Sequence, residues 1–273
     1  MKFAKMQATG NDFILIEAGE ERDWSSLAKA ICTRHFGVGA DGLILLLPST
    51  VADLRMRMFN PDGSEAEACG NGLRCLTRYT IDRGLADASR ELTVETLGGT
   101  RKVQAQGSII QVNMGIPRFK PPEIPMRIDE ELDIILDYPV TIKADKILLT
   151  CLSIGNPHAV CFLEKSVTDF PLIELGPMVE NHPIFPKRVN FEVANVLDRK
   201  RVSARVWERG VGETLSCGTG ACAVVVAARL RNQVDSHVDI ILPGGTLTVD
   251  WDRVGEVMLS GAAELVFWGE WPD

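Results

Sequence analysis

Hydrophobic and polar positions along the 273-residue chain alternate in short bursts, with a few helical stripes between them. Leu54, Met56 and Met58 alternate with Arg55 and Arg57, the period of a half-buried strand. Phe3–Met6 and Phe13–Ile16 read as strands on either side of the turn Ala8-Thr9-Gly10-Asn11-Asp12, and Leu43–Leu47 as a fully apolar strand. Further strands are expected around 92–96, 100–104 and 109–114. Trp24–His35 has helical spacing through Leu27 and Ile31, with Ser25 and Ser26 as expected caps. Glu65–Asp82 carries a second stripe of Leu73, Cys75, Leu76, Tyr79 and Ile81. Gly37-Val38-Gly39-Ala40-Asp41-Gly42 fits the dinucleotide pattern in letters only. It follows a helix and opens a strand, the reverse of what that loop requires.

Pro117, Pro121, Pro122 and Pro125 crowd residues 115–127, where neither helix nor central strand can continue. A domain boundary is expected there, giving one domain over 1–116, completed by 263–273, and another over 117–262. The second half repeats the plan of the first. Strands are expected around 140–143, 147–154, 159–163, 191–197 and 203–208, then an apolar helix through Ala221–Ala228, then strands at 238–242, 246–249 and 257–260. The expected fold class is α+β: two pseudo-symmetric domains, each a mixed β-barrel or roll around one central helix, with the active site in the cleft between them.

Composition narrows the function classes. The formal charge of −8 is against binding to nucleic acid, which needs a basic surface. No apolar run reaches the ~18–20 residues of a membrane helix, and Met1–Lys5 has no signal core, so a cytoplasmic protein is expected. Seven cysteines and four histidines show neither a disulfide framework nor zinc-ligand spacing, and no metal is expected.

Two of those cysteines share a context. Cys69-Gly70-Asn71-Gly72 and Cys217-Gly218-Thr219-Gly220 each run from a glycine-rich turn into an apolar helix. A thiol at a helix start lies against unpaired N–H groups and the positive end of the dipole. Such a thiol can fall from a pKa of about 8.5 to roughly 3.5–7.5. Cys32, Cys75, Cys151, Cys161 and Cys222 read as core residues. For Cys69 and Cys217 three readings stand: buried core, redox pair, or the acid and base of a stereochemical inversion. Inversion needs one proton-transfer group on each face of a carbon. Amides of Gly70, Asn71, Gly218 and Thr219 could cradle the adjacent carboxylate. That reading uses every unusual feature of both motifs.

Residues Asp62–Cys75 and Glu208–Gly220 closely resemble the two signatures of the diaminopimelate epimerase family. Gly10-Asn11-Asp12-Phe13, Arg34–Gly42 and Gly155-Asn156-Pro157-His158-Ala159-Val160 match it in the same order. The resemblance implies a cofactor-independent isomerase interconverting L,L- and meso-2,6-diaminopimelate, on the route to lysine and peptidoglycan precursors. It implies Cys69 and Cys217 as catalytic thiols, and Asn11, Asn60, Asn156, Asn190, Glu208 and Arg209 as substrate-binding residues. His158 and Glu208 would adjust thiol ionisation. The small-molecule substrate is the expected partner, and a homodimer is left open. Ile44 stands where many members carry a glutamine that contacts substrate, so it is left out of the site. A related racemase on another acid, or a thiol redox sensor of the same fold, are the alternatives.

Overall fold

The computed structural model describes residues 1–19, 22–66 and 69–272; Glu67 and Ala68 of the first cysteine motif lie outside them. The chain divides into two compact units, one of residues Met1–Asn113 with Ser260–Asp273, the other Met114–Leu259.

In the first unit the order is β1 (Lys2–Ala8), β2 (Asn11–Glu17), α1 (Trp24–Cys32), β3 (Gly42–Leu47), β4 (Leu54–Phe59), β5 (Glu65–Ala66), α2 (Gly70–Asp82), β6 (Leu92–Thr96), β7 (Gly99–Gln106) and β8 (Ile109–Gly115). The second unit follows with β9 (Ile135–Ile142), β10 (Asp145–Ser153), β11 (Pro157–Phe162), α3 (Leu172–Glu180), β12 (Asn190–Asp198), β13 (Arg201–Glu208), β14 (Gly212–Thr214), α4 (Gly218–Leu230), β15 (His237–Leu242), β16 (Gly245–Asp250) and β17 (Val257–Ala262). The last strand, β18 (Glu264–Glu270), pairs antiparallel with β1.

Strand pairing makes the repeat explicit. Along β1-β2-β3-β4-β6-β7 the pairings run antiparallel, parallel, antiparallel, parallel, antiparallel. Along β10-β11-β12-β13-β15-β16 they run in the same sequence. Each parallel step needs a crossover. In the first unit α1 and α2 serve, in the second α3 and α4. The short β5 pairs with β4 as the short β14 pairs with β13, each just ahead of the cysteine helix.

The strands of each unit pack round its cysteine helix. α2 touches β1, β2, β3, β4, β7 and β18, and α4 touches β10, β11, β12, β13, β15 and β16. α4 is apolar all round and correspondingly buried from Ala221 to Ala228. Val224-Val225-Val226 is a poor helical run by propensity. Full burial of each valine contributes about 1.5–3 kcal/mol and outweighs that penalty of a few tenths. α2 carries four polar residues, Asn71, Arg74, Thr77 and Thr80, that are equally buried.

Several boundaries differ from the sequence expectation. α1 stops at Cys32, and its cap is Asp23, whose carboxylate accepts from Ser26 N at 3.0 Å, rather than Ser25 or Ser26. Past its end Gly39 (φ +78°) lets the chain turn back, with Gly39 N bonded to Ile31 O at 3.0 Å. This is the helix-to-strand turn inferred for the Gly37–Gly42 stretch. α3 is not among the expected elements; Pro177 stands within it, where proline ordinarily breaks a helix. β9 starts at Ile135, earlier than the expected strand near Val140. Among the described residues no helix is long and apolar enough to cross a membrane.

Candidate active site

Cys69 and Cys217 occupy equivalent places as N-caps of α2 and α4, one residue ahead of the expected first turn. Both have extended backbones, and the first helical bonds run from Leu73 N to Cys69 O (2.8 Å) and from Ala221 N to Cys217 O (2.9 Å). The N–H groups ahead of those bonds lie outside the helix ladder, where anions are favoured.

Around Cys69 the structure gathers Asn11 and Asn71. Asn11 Oδ1 lies 4.0 Å from Cys69 Sγ and accepts from Asn71 Nδ2 at 3.1 Å. The other end of the Asn11 amide donates to Asp41 at 2.6 Å, so Asp41 fixes which atom faces the thiol. Asp41 also receives Arg34, which is shared with Asp12, and Lys5 bonds Asp12 and Gly39 O. Arg74 Nη2 donates to Asn71 Oδ1 at 2.6 Å. Asn60 is not in this group. It closes its own turn, donating to Ser64 Oγ at 2.9 Å.

Around Cys217 the gathering is denser. Its sulfur accepts from Gly220 N at 3.4 Å and lies 3.4 Å from Thr219 Oγ1, which accepts from Asn156 Nδ2 at 3.3 Å. Asn156 Oδ1 meets His158 Nε2 at 2.9 Å, and His158 Nδ1 meets Glu192 at 2.7 Å. Glu208 accepts from Thr214 at 2.6 Å. Asn190 braces the framework: its amide donates to Pro157 O at 2.8 Å and accepts from Arg209 N at 2.9 Å. The Arg209 guanidinium donates to Lys187 O at 3.1 Å.

The depressed thiol pKa expected at both helix starts is not found at Cys217. Burial, then the Glu208 carboxylate, push that thiol well above its ordinary value. The Thr219 hydroxyl and the Gly220 N–H pull the other way and only partly offset this. Helix-end potential is thus outweighed by desolvation at a residue only 7% exposed. Among the thiols read as core, burial pushes Cys161 up to about 11 and Cys32 to about 12, and raises Cys75, Cys151 and Cys222 as well.

The sign of the Glu208 effect gives a pH prediction. Glu208→Gln removes a negative charge that disfavours thiolate, so the midpoint for iodoacetamide alkylation of Cys217, followed by peptide mass spectrometry, should move to lower pH. A midpoint that stays put or rises would show that Glu208 does not act on this thiol.

Sequence reasoning passed over Asp41, Arg74 and Glu192. Asp41 and Arg74 stood inside quoted motifs, but nothing in the letters told an orienting carboxylate or a buried guanidinium from surface charge. Glu192 sits in an apolar strand, Phe191-Glu192-Val193-Ala194, and that buried setting was the available signal.

A family model described as diaminopimelate epimerase matches residues 3–120 and 150–266. A diaminopimelate epimerase from Acetivibrio thermocellus is 45% identical, over 99% of this chain and 98% of that protein. Among solved structures, a PhzF-family phenazine biosynthesis protein from Bacillus anthracis matches with a TM-score of 0.73 at 19% identity, over 100% of this chain and 99% of the other. A hydroxyproline epimerase from Agrobacterium vitis, with bound trans-4-hydroxy-L-proline, matches at 0.69 and 16%, over 98% and 91%. At those identities the structural likeness establishes the fold.

Proposed function

The chain belongs to the diaminopimelate epimerase family, and on that premise we propose that it interconverts L,L- and meso-2,6-diaminopimelate with Cys69 and Cys217 as a pair of acid/base thiols. One observation carries the mechanism. The same device, a cysteine N-cap followed by Gly-polar-Gly and an asparagine from the neighbouring strand end, is built once in each unit on the same strand topology.

In this reading one thiolate removes the α-proton from one face of the carbon while the other thiol delivers a proton to the opposite face. The bond from carbon to hydrogen breaks on one side and forms on the other, and the thiols end with exchanged charge. The reverse reaction runs with the roles exchanged, so no external reductant or oxidant enters the balance. The α-carbon beside a carboxylate is a weak acid. One positioned acid/base group supplies typically ~10²–10⁴-fold, and each hydrogen-bond donor aimed at developing charge roughly 2.7–4 kcal/mol. The N–H groups at the starts of α2 and α4 are the donors for the reacting carboxylate, Glu208 the partner of an ammonium, and Arg209 that of the second carboxylate. A thiol pair kept reduced suits the cytoplasm, where we place the reaction. The product serves lysine biosynthesis.

The test is proton NMR of the purified protein with L,L-diaminopimelate in D₂O, without added pyridoxal phosphate or metal. Loss of the α-proton signal with appearance of the meso isomer is the expected result. Absence of exchange with both thiols shown to be reduced would overturn the substrate assignment.

A further inference from the structure

The repeat between the units exposes one place where they differ chemically. In the first unit Phe13 pairs with Gly42, which puts Ile44 two residues further along β3; in the second His158 pairs with Asn190, which puts Glu192 at the same step of β12. The helices confirm the equivalence. A Cβ on Gly72 of α2 would stand 3.2 Å from Ile44 Cδ1, and one on Gly220 of α4 would stand 2.9 Å from Glu192 Oε1. The fold therefore fills this position with Phe13 and Ile44 in one unit and with His158 and Glu192 in the other. All four are buried. Packing alone does not call for the polar pair, and burying it carries a desolvation penalty that the apolar pair avoids.

The hydrogen-bond roles in the second unit follow from the Asn156 amide. Its nitrogen donates to Thr219, so its oxygen faces His158, and Nε2 must carry a proton. Nδ1 then meets Glu192 either as a proton donor to a carboxylate or as an acceptor from a carboxylic acid. Glu192 is wholly buried, and its Oε2 has no hydrogen-bond partner among the described residues. An ionised carboxylate with one bare oxygen is far costlier there than a neutral acid making one strong bond. Among the described residues, His158 is the only group acting on it that can carry positive charge. Glu208 on β13 opposes ionisation, and the thiols of Cys151 on β10 and Cys217 at the head of α4 also lie within its field. Burial pushes the Glu192 carboxyl upward in accord with this.

We propose that Glu192 is a positioning residue for Cys217: as a neutral acid bonded to His158 Nδ1, it holds Nε2–H on Asn156 Oδ1, so that the Asn156 amide donates to Thr219 and the Thr219 hydroxyl donates to the Cys217 sulfur. The first unit solves the same problem with the opposite polarity. There Asp41 takes the Asn11 nitrogen and turns the oxygen toward the thiol. The two thiols thus meet different partners on an otherwise repeated scaffold, an acceptor at Cys69 and a donor line at Cys217. Only the effect on turnover rests on the epimerase reading; the tautomer and the thiol titration do not.

Three measurements test it. In Glu192→Gln the amide N–H replaces the carboxyl O–H on Nδ1, so the alkylation midpoint of Cys217 should stay near that of the parent protein and kcat within about threefold. The double variant His158→Phe with Glu192→Ile installs the residues of the first unit. It should fold, lose the orienting line, raise the Cys217 midpoint by about one pH unit and lower kcat about tenfold or more. The ¹⁵N NMR spectrum of the parent protein, free of substrate, should show His158 protonated at Nε2 alone. The proposal is overturned if Glu192→Gln behaves like the double variant, or if the folded double variant keeps the parent Cys217 midpoint. It is equally overturned, whatever the variants do, if Nδ1 carries a proton in the parent spectrum.

Discussion

Cys217→Ala is expected to cut net inversion severely while leaving the protein folded. The lost group is one acid/base partner, and its removal should lower turnover about 10²–10⁴-fold. Alanine fills most of the site, and Cys217 has no covalent partner to lose. The deletion removes two weak bonds at the sulfur, one with Gly220 N and one with Thr219 Oγ1, so the stability change should stay within about 1–2 kcal/mol. The sharper readout is isotopic. With one thiol left, only the isomer whose α-hydrogen points to that thiol can exchange it for solvent deuterium. Cys217→Ala and Cys69→Ala should therefore exchange opposite isomers, each without inversion. Exchange of the same isomer by both variants, or turnover within tenfold of the parent in either, would remove the two-thiol assignment.

What the letters revealed, and what they withheld, divides along physical lines. Local signals were readable: the period-two strands, the apolar run that becomes α4, the glycine-rich starts of α2 and α4, and the repeat that links the halves. Each is a property of a few consecutive residues. What escaped depends on partners far apart in sequence. α3 carries Pro177, which by local rules breaks a helix interior, yet Leu172 and Val179 are buried in the core beside β12, and Gly176 packs against the Trp207 ring. Asp23 outdid Ser25 and Ser26 as a cap because its carboxylate reaches Ser26 N, a matter of geometry rather than residue type. The thiol at Cys217 was misjudged in the same way. Helix position argued for easy ionisation, and burial beside Glu208, which sits nine residues upstream on β13, argued more strongly against it.

The candidate site shows the same division. Of the residues named from the sequence, Asn11, Asn71 and Cys69 gather in one unit and Asn156, His158, Thr219 and Cys217 in the other, while Asn60 stays in its own turn. The groups that orient them had no comparable mark. Asp41, Glu192 and Arg74 act on other side chains, and a charge in a sequence reads first as solvated surface.

Arg74→Met is the second change with a large expected effect, and it separates function from stability. Arg74 is wholly buried in α2, and its guanidinium donates to Ala262 O at 2.5 Å, to Thr9 Oγ1 at 3.1 Å and to Asn71 Oδ1 at 2.6 Å. Methionine leaves those three acceptors without this donor, at about 1–3 kcal/mol each if water does not replace it. It also removes a buried cation, whose desolvation costs several kcal/mol. The two terms are of similar size and opposite sign, so Tm should move by only a few degrees. Activity has no such offset. The Asn71 amide is released to rotate, and with it the donor on Asn11 Oδ1 beside Cys69. The nearby positive charge that favours a Cys69 thiolate is lost as well. Turnover should fall about 10²-fold or more, and the Cys69 alkylation midpoint should rise. Arg74→Lys should restore the charge without the fork that reaches three acceptors, recovering the alkylation midpoint more than the rate. A Met variant that keeps parental turnover would show that Asn71 needs no anchor; one that unfolds would show that the three acceptors outweigh the buried charge.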